Sequence, residues 1–195
     1  AFKVFELICN QRASKEGIRK SRVAIVRNTY PDLTNTTIRD WRSIVPENCG
    51  KFTMGHPPEH VLDFDLPDGT KVYAEVIFVA LDKPEDVRKL RGMQLTFAWI
   101  NEMKEVPIAV IAMLTGRIDR YPKQGYSPWV GILGDSNAWD EDHELQKWAE
   151  LAERSEMPGY EFFTQPGGVI KVDGKWVVNP NREDDLSGQG HLCAA

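Results

Sequence analysis

The 195 residues are 42% hydrophobic and 27% charged, a balance that excludes a disordered chain and is large enough for one well-buried domain. No run of about 18 apolar residues occurs and no basic-then-apolar leader is seen, so no membrane contact and a cytoplasmic location are expected. The net charge of −5 divides unevenly: residues 1–45 hold nine Lys/Arg against four Asp/Glu, and the remainder holds 15 against 25.

The basic stretch either faces the phosphates of a nucleotide or DNA, or is a solvated helix face. It begins, without a Met, in a helix-like pattern (Phe2, Phe5, Leu7, Ile8) that predicts a helix over 2–12, with Gly17 closing it. The β-branched run 22–27 (RVAIVR) reads as a strand buried on both sides. A helix follows, capped by Asp32 or Thr34, carrying Leu33, Ile38, Trp41 and Val45, and stopped by Pro46. Residues 46–60 are rich in Pro and Gly and read as a loop. Strands over 61–66 and 71–81 flank Pro67-Asp68-Gly69, a hairpin signal.

Pro84 starts a brief helix that leads into an apolar strand at 95–100. The almost wholly apolar segment 106–114 reads as a helix lying on the sheet. Then come a buried strand at 129–133 (WVGIL), an amphipathic helix at 141–154, and a β-pair over 160–163 and 169–178 turning at Asp173-Gly174. Strands alternating with helices predict an α/β fold, a mostly parallel sheet flanked by helices, with one antiparallel hairpin. Three distant cysteines (Cys9, Cys49, Cys193) read as reduced thiols.

The most informative stretch is 89–107, KLRGMQLTFAWINEMKEVP. An apolar strand there ends in Asn101-Glu102, and the crevice at the carboxyl ends of such strands is where α/β proteins bind ligands. A nucleotide triphosphatase needs a carboxylate about one water away from the last phosphate, a role open to Glu102; the alternative is that the pair merely opens the next helix. Asn101 has an acceptor oxygen without charge, so it can hold a metal-bound water while contributing less than an acid. Arg91, on the turn made by Gly92, is either an arginine finger or a surface arginine beside Arg88 and Lys89. Asp135-Ser136-Asn137 either senses a phosphate or is turn chemistry. Arg117, Arg120 and Tyr121 read as the cap of the apolar helix.

Cys49, His56 and His60 have metal-ligand types, but no fourth ligand is nearby and Pro57-Pro58 interrupts the pair, which argues against zinc. There is no G-x-x-x-x-G-K-[ST], no G-x-G-x-x-G and no nucleophile elbow.

Taken together, RVAIVRNTYPDLTNTTIRDW, KLRGMQLTFAWINEMKEVP, LTGRIDRYP, WVGILGDSNA and FFTQPGGVIKVDGKWVVNPN resemble, in order and spacing, large terminase subunits of tailed bacteriophages over roughly residues 1–181. The resemblance implies a P-loop NTPase-like fold of the additional-strand, catalytic-glutamate type, here lacking the P-loop itself. It implies a motor that hydrolyses ATP with Mg2+. The motor drives double-stranded DNA into the procapsid as a homo-oligomeric ring, with the portal protein and the small terminase subunit as partners, in the cytoplasm of a bacterial host.

By the same resemblance Glu102 is the catalytic glutamate and Arg91 the trans-acting arginine. Asn101 stands where many relatives have Asp and, with Glu102, holds Mg2+ through water. Ser136 and Asn137 form the coupling motif, and Arg27 contacts nucleotide or DNA. The Walker A loop is expected just ahead of Phe2, residues 182–195 are expected to be a polar tail, and the nuclease domain of the family is expected to be missing from these 195 residues. The expected consequence is a chain that is inactive alone. The alternative is a non-hydrolysing DNA-binding or assembly module of the same machinery. A helicase-type motor is a third reading, against which the block at 162–181 argues.

Overall fold

The computed structural model describes residues 1–81, 86, 88, 90–137, 142–163, 169–172 and 175–178. The chain divides into two compact units, Ala1–Asp135 and Ser136–Ala195.

The first unit is built on a six-stranded sheet. Its strands are β1 (Ile18–Arg27), β2 (Gly50–Thr53), β3 (Glu59–Asp65), β4 (Lys71–Ala80), β5 (Phe97–Asn101) and β6 (Ile132–Asp135), in the order β2-β3-β4-β1-β5-β6. β1 pairs in parallel with β4 and β5, and β5 with β6, while β2-β3 and β3-β4 are antiparallel. The expected parallel strands and the β3-β4 hairpin are therefore present, and a second antiparallel pair, β2-β3, makes the sheet mixed. β2 is an addition inside the segment read as a loop. The four residues Gly50–Thr53 gain strand geometry because β3 offers them a partner, which local composition does not record.

β1 lies centrally, and its residues Val23 to Val26 are wholly buried, as a parallel strand covered on both faces requires. Side chains alternate across the sheet. Val23, Ile25, Phe97 and Trp99 share one apolar cluster with Val4 and Ile8 of helix α1 (Phe2–Cys9). Helix α2 (Tyr30–Asp32), a π-turn (Leu33–Ile38) and helix α3 (Arg39–Ile44) run consecutively and add Leu33, Ile38 and Trp41 to the same cluster. The alternate set, Ala24, Val26, Ala98 and Ile100, is buried as well, as are Val110, Ile111 and Leu114 of helix α4 (Ile108–Thr115). Fully burying each large apolar side chain contributes roughly 1.5–3 kcal/mol, so this sheet sandwich is the main source of stability.

The first helix stops at Cys9, short of the expected residue 12, because Asn10 already caps it. The second is capped by Thr29, whose hydroxyl oxygen accepts from the Asp32 N–H at 3.3 Å, upstream of the expected caps. β6 begins at Ile132 and runs to Asp135, displaced from the apolar run 129–133. Trp129 packs edge-on against Phe97, with ring centroids 5.7 Å apart, and stays outside the ladder.

In the second unit, helix α5 (Glu144–Glu153) is capped by His143, and strands β7 (Val169–Val172) and β8 (Lys175–Val178) pair antiparallel. The expected strand at 160–163 does not form. The Pro84 helix start, the turn at Asp173-Gly174 and the tail 182–195 lie outside the described residues.

Candidate active site

The carboxyl ends of β1, β5 and β6 meet along one edge of the sheet, and the residues there are Arg27, Asn101 and Asp135. The next residue after Asn101 is Glu102, which leaves β5 with φ 54° and ψ 60°. The left-handed region costs a non-glycine residue roughly 1–2 kcal/mol. Its carbonyl accepts from the Glu105 N–H at 3.0 Å, starting a one-turn 3-10 helix over Met103–Glu105. Backbone strain of this kind concentrates where a side chain must be aimed. The sequence placed an acid here; only the backbone reveals that the chain bends sharply to present it.

Asn101 is held from two sides. The Thr37 hydroxyl donates to its Oδ1 at 2.7 Å, and its Nδ2 donates to Asp135 Oδ2 at 2.8 Å. Asp135 Oδ1 accepts a short hydrogen bond from the indole N–H of Trp99, a residue in the core. Asn101 and Asp135 are direct register partners, so the contact follows from strand pairing. Thr37 comes from the π-turn. Thr34 and Thr36 bond back to the carbonyls of Tyr30, Pro31 and Asp32 at 2.6–3.1 Å, which loosens the helical ladder there. Such widened turns recur at functional sites.

Arg27 closes β1 with its side chain 10% exposed. Its Nη1 pairs with Glu105 at 3.0 Å and donates to the Asn101 carbonyl at 3.3 Å, while its buried Nε has no hydrogen-bond partner. A desolvated guanidinium with a spare donor suits an anionic oxygen. The amino group of Ala1, at the start of α1, is half-buried. Burial lowers its pKa, with the charges of Asp135 and Asp40 opposing, so the amino end of α1 lies within the field of this edge.

Of the six residues expected to act, Arg27, Asn101 and Glu102 are thus brought together. Arg91 is not brought to them within the chain: it sits exposed on the Gly92 turn that enters β5 from its amino end, whereas Glu102 leaves the other end. Ser136 and Asn137 follow β6 directly and open the second unit, the Ser136 hydroxyl shielded and without a hydrogen-bond partner. Thr37 and Trp99 join the site through contacts that no spacing rule anticipates, and Asp135, already a candidate beside Ser136 and Asn137, joins it as the partner of both Asn101 and Trp99. His60 is buried and accepts from the Trp41 indole N–H at 3.0 Å, and no group of three or more metal-ligating side chains occurs among the described residues. An all-protein cation cage is therefore lacking there, whereas an oxygen set of carboxylate and amide fits Mg2+ shared with phosphates, which takes one or two carboxylates from the protein.

The described sheet is six-stranded, mixed and flanked by helices, with acid and amide side chains at the carboxyl ends of its parallel strands. Among solved structures, the large terminase of a thermophilic bacteriophage shares this fold, at 11% identity and a TM-score of 0.52, the match covering 69% of this chain and 31% of that one. The same terminase in complex with ADP gives 12% identity and a TM-score of 0.53, over 70% of this chain and 31% of that one. The ATPase domain of the large terminase of Thermus phage P74-26 is a looser match, at 13% identity and a TM-score of 0.43, over 93% of this chain and 66% of that domain. The chain thus spans about a third of the length of the first two. No family model matches the sequence, and no curated protein matches it. The resemblance to large terminases stands at the level of the fold.

Proposed function

We propose that this chain carries the catalytic and coupling face of an ATP-hydrolysing phage terminase motor, which moves double-stranded DNA into a procapsid. The observation that carries this reading is Glu102, held in the left-handed region at the carboxyl lip of β5 beside Asn101, Arg27 and Asp135. Glu102 orients a water and takes up its proton as the oxygen attacks the last phosphate. Arg27 offers its unpartnered Nε to a phosphate oxygen. Asn101, fixed by Thr37 and Asp135, holds a metal-bound water; Mg2+, when bound, neutralises charge on the phosphates. Arg91, remote from Glu102 along its own chain, serves a neighbouring subunit of a ring. Ser136 and Asn137 pass the loss of the phosphate to the second unit.

Support for the fold comes from the terminase structures, and the ADP complex of one of them motivates nucleotide as the ligand. The non-hydrolysing DNA-binding alternative gains nothing from the structure: Arg19, Arg22 and Arg27 of the basic stretch pair with Asp68, Glu75 and Glu105 at 2.6–3.0 Å.

The test is Glu102→Gln in the complete gene product. ATP turnover is expected to fall by about 10²–10⁴-fold while ATP affinity stays nearly unchanged. Turnover within about tenfold of the unaltered protein means that Glu102 is not the base.

A further inference from the structure

The carboxyl ends of β5 and β6 form a pair in which an amide stands on one strand and a carboxylate directly opposite, Asn101 against Asp135. We infer that Asp135 supplies the negative charge of the divalent-cation site, one strand away from the position where the resemblance places it. This rests on the hydrolytic reading above.

Charge distribution along the edge motivates the assignment. The cation Arg27 is already answered by Glu105 at 3.0 Å, and the Trp99 Nε1 and Asn101 Nδ2 donors to Asp135 are neutral, so the cation that acts on Asp135 is the half-buried Ala1 ammonium. Neutral donors fix the orientation of a carboxylate without cancelling its charge, and each oxygen keeps a lone pair for a cation or its water. Asp135 is exposed, so a hydrated ion can reach it, while the indole beneath it is buried and rigid. Asn101 Oδ1 has a second lone pair beside the one used by Thr37. A second feature of the same edge points to a ligand: the Arg27 Nε is shielded and unpartnered although the side chain is nine-tenths buried. A guanidinium with a spare donor on β1 and an oriented carboxylate on β6, with β5 between them, can take a phosphate and its cation along one edge.

Mn2+ is the probe, titrated into the 195-residue chain and followed by the electron paramagnetic resonance signal of the free ion. The unaltered protein is expected to bind, and Asp135→Asn to weaken binding by about tenfold or more. Asn101→Asp combined with Asp135→Asn returns the charge to β5 while keeping an amide–carboxylate bond between the strands, and is expected to recover most of the affinity. A purely structural role for Asp135 would not produce that recovery. Circular dichroism confirms folding, and should Asp135→Asn fail to fold, the double variant is compared directly with the unaltered protein.

The inference is overturned if the unaltered chain binds no Mn2+, if folded Asp135→Asn binds as well as the unaltered chain, or if the folded double variant recovers nothing. Loss of turnover in Glu102→Gln together with unchanged Mn2+ binding in Asp135→Asn removes this inference alone. Charge-dependent Mn2+ binding together with unimpaired Glu102→Gln turnover removes the hydrolytic reading alone.

Discussion

Glu102 concentrates the tension between stability and function in one backbone angle. At φ 54° any residue with a Cβ is strained, and glycine is not. The comparison of Glu102→Gly with Glu102→Ala isolates this term, because both remove the carboxylate. Glycine is expected to be the more stable replacement by about 1 kcal/mol in urea denaturation, the relief of strain exceeding glycine's greater unfolded-state entropy. Equal stabilities would show that the strain relieved is no larger than the unfolded-state entropy that glycine adds. The acid was legible in the sequence because an apolar run ended at it. Asp135 was legible as a phosphate-sensing or turn residue but not as the partner of Asn101, since the run WVGIL placed the strand end at Leu133, and the ladder with β5 extends it to residue 135.

Among the elements, helix α3 is tied to β3 by one buried hydrogen bond, from the Trp41 indole to His60 Nδ1. Burial holds the imidazole below its ordinary value of 6.5, and the charge of Arg42 pushes the same way. The unfolded chain therefore takes up a proton that the folded chain resists. The contribution is fully present above about pH 6.5 and is lost as the pH falls toward the folded-state value. Denaturation midpoints at about pH 7.5 and about pH 5.5 should show this decline, and His60→Gln, which keeps an acceptor for the indole, should flatten it. Trp41→Phe leaves the buried ring nitrogen without its donor at a cost of about 1–3 kcal/mol. A slope unchanged in His60→Gln would assign the acid sensitivity to other groups. The Trp41 indole thus occupies Nδ1 of the second histidine in the His-x₃-His spacing. The π-turn is a further element invisible to periodicity: LTNTTI reads as ordinary helix, and its widening follows from threonine hydroxyls bonding back to the preceding turn.

For the whole molecule, folding ties three of the nine cations in residues 1–45, Arg19, Arg22 and Arg27, to acids from later in the chain. Arg22 also stacks 4.3 Å over the Tyr121 ring. With a net charge of −5 and those arginines engaged, the isolated 195-residue chain is expected to hold double-stranded DNA no more tightly than about 10⁻⁴ M at physiological salt. Fluorescence anisotropy with a labelled duplex measures this. Tight binding with a steep salt dependence would mean that the pairs open to phosphates, and would favour the DNA-binding alternative.

The sequence by itself determined the alternation of helix and strand, the hairpin at Pro67-Asp68-Gly69 and the acid at the end of β5, because hydrophobic period and turn chemistry are local properties. Only the tertiary structure decided which strands neighbour one another, and with that the pairing of Asn101 with Asp135, the reach of Thr37 and the partners of the basic arginines. Register and strand order arise from contacts between residues far apart along the chain, and such contacts leave no mark in the spacing of any one segment.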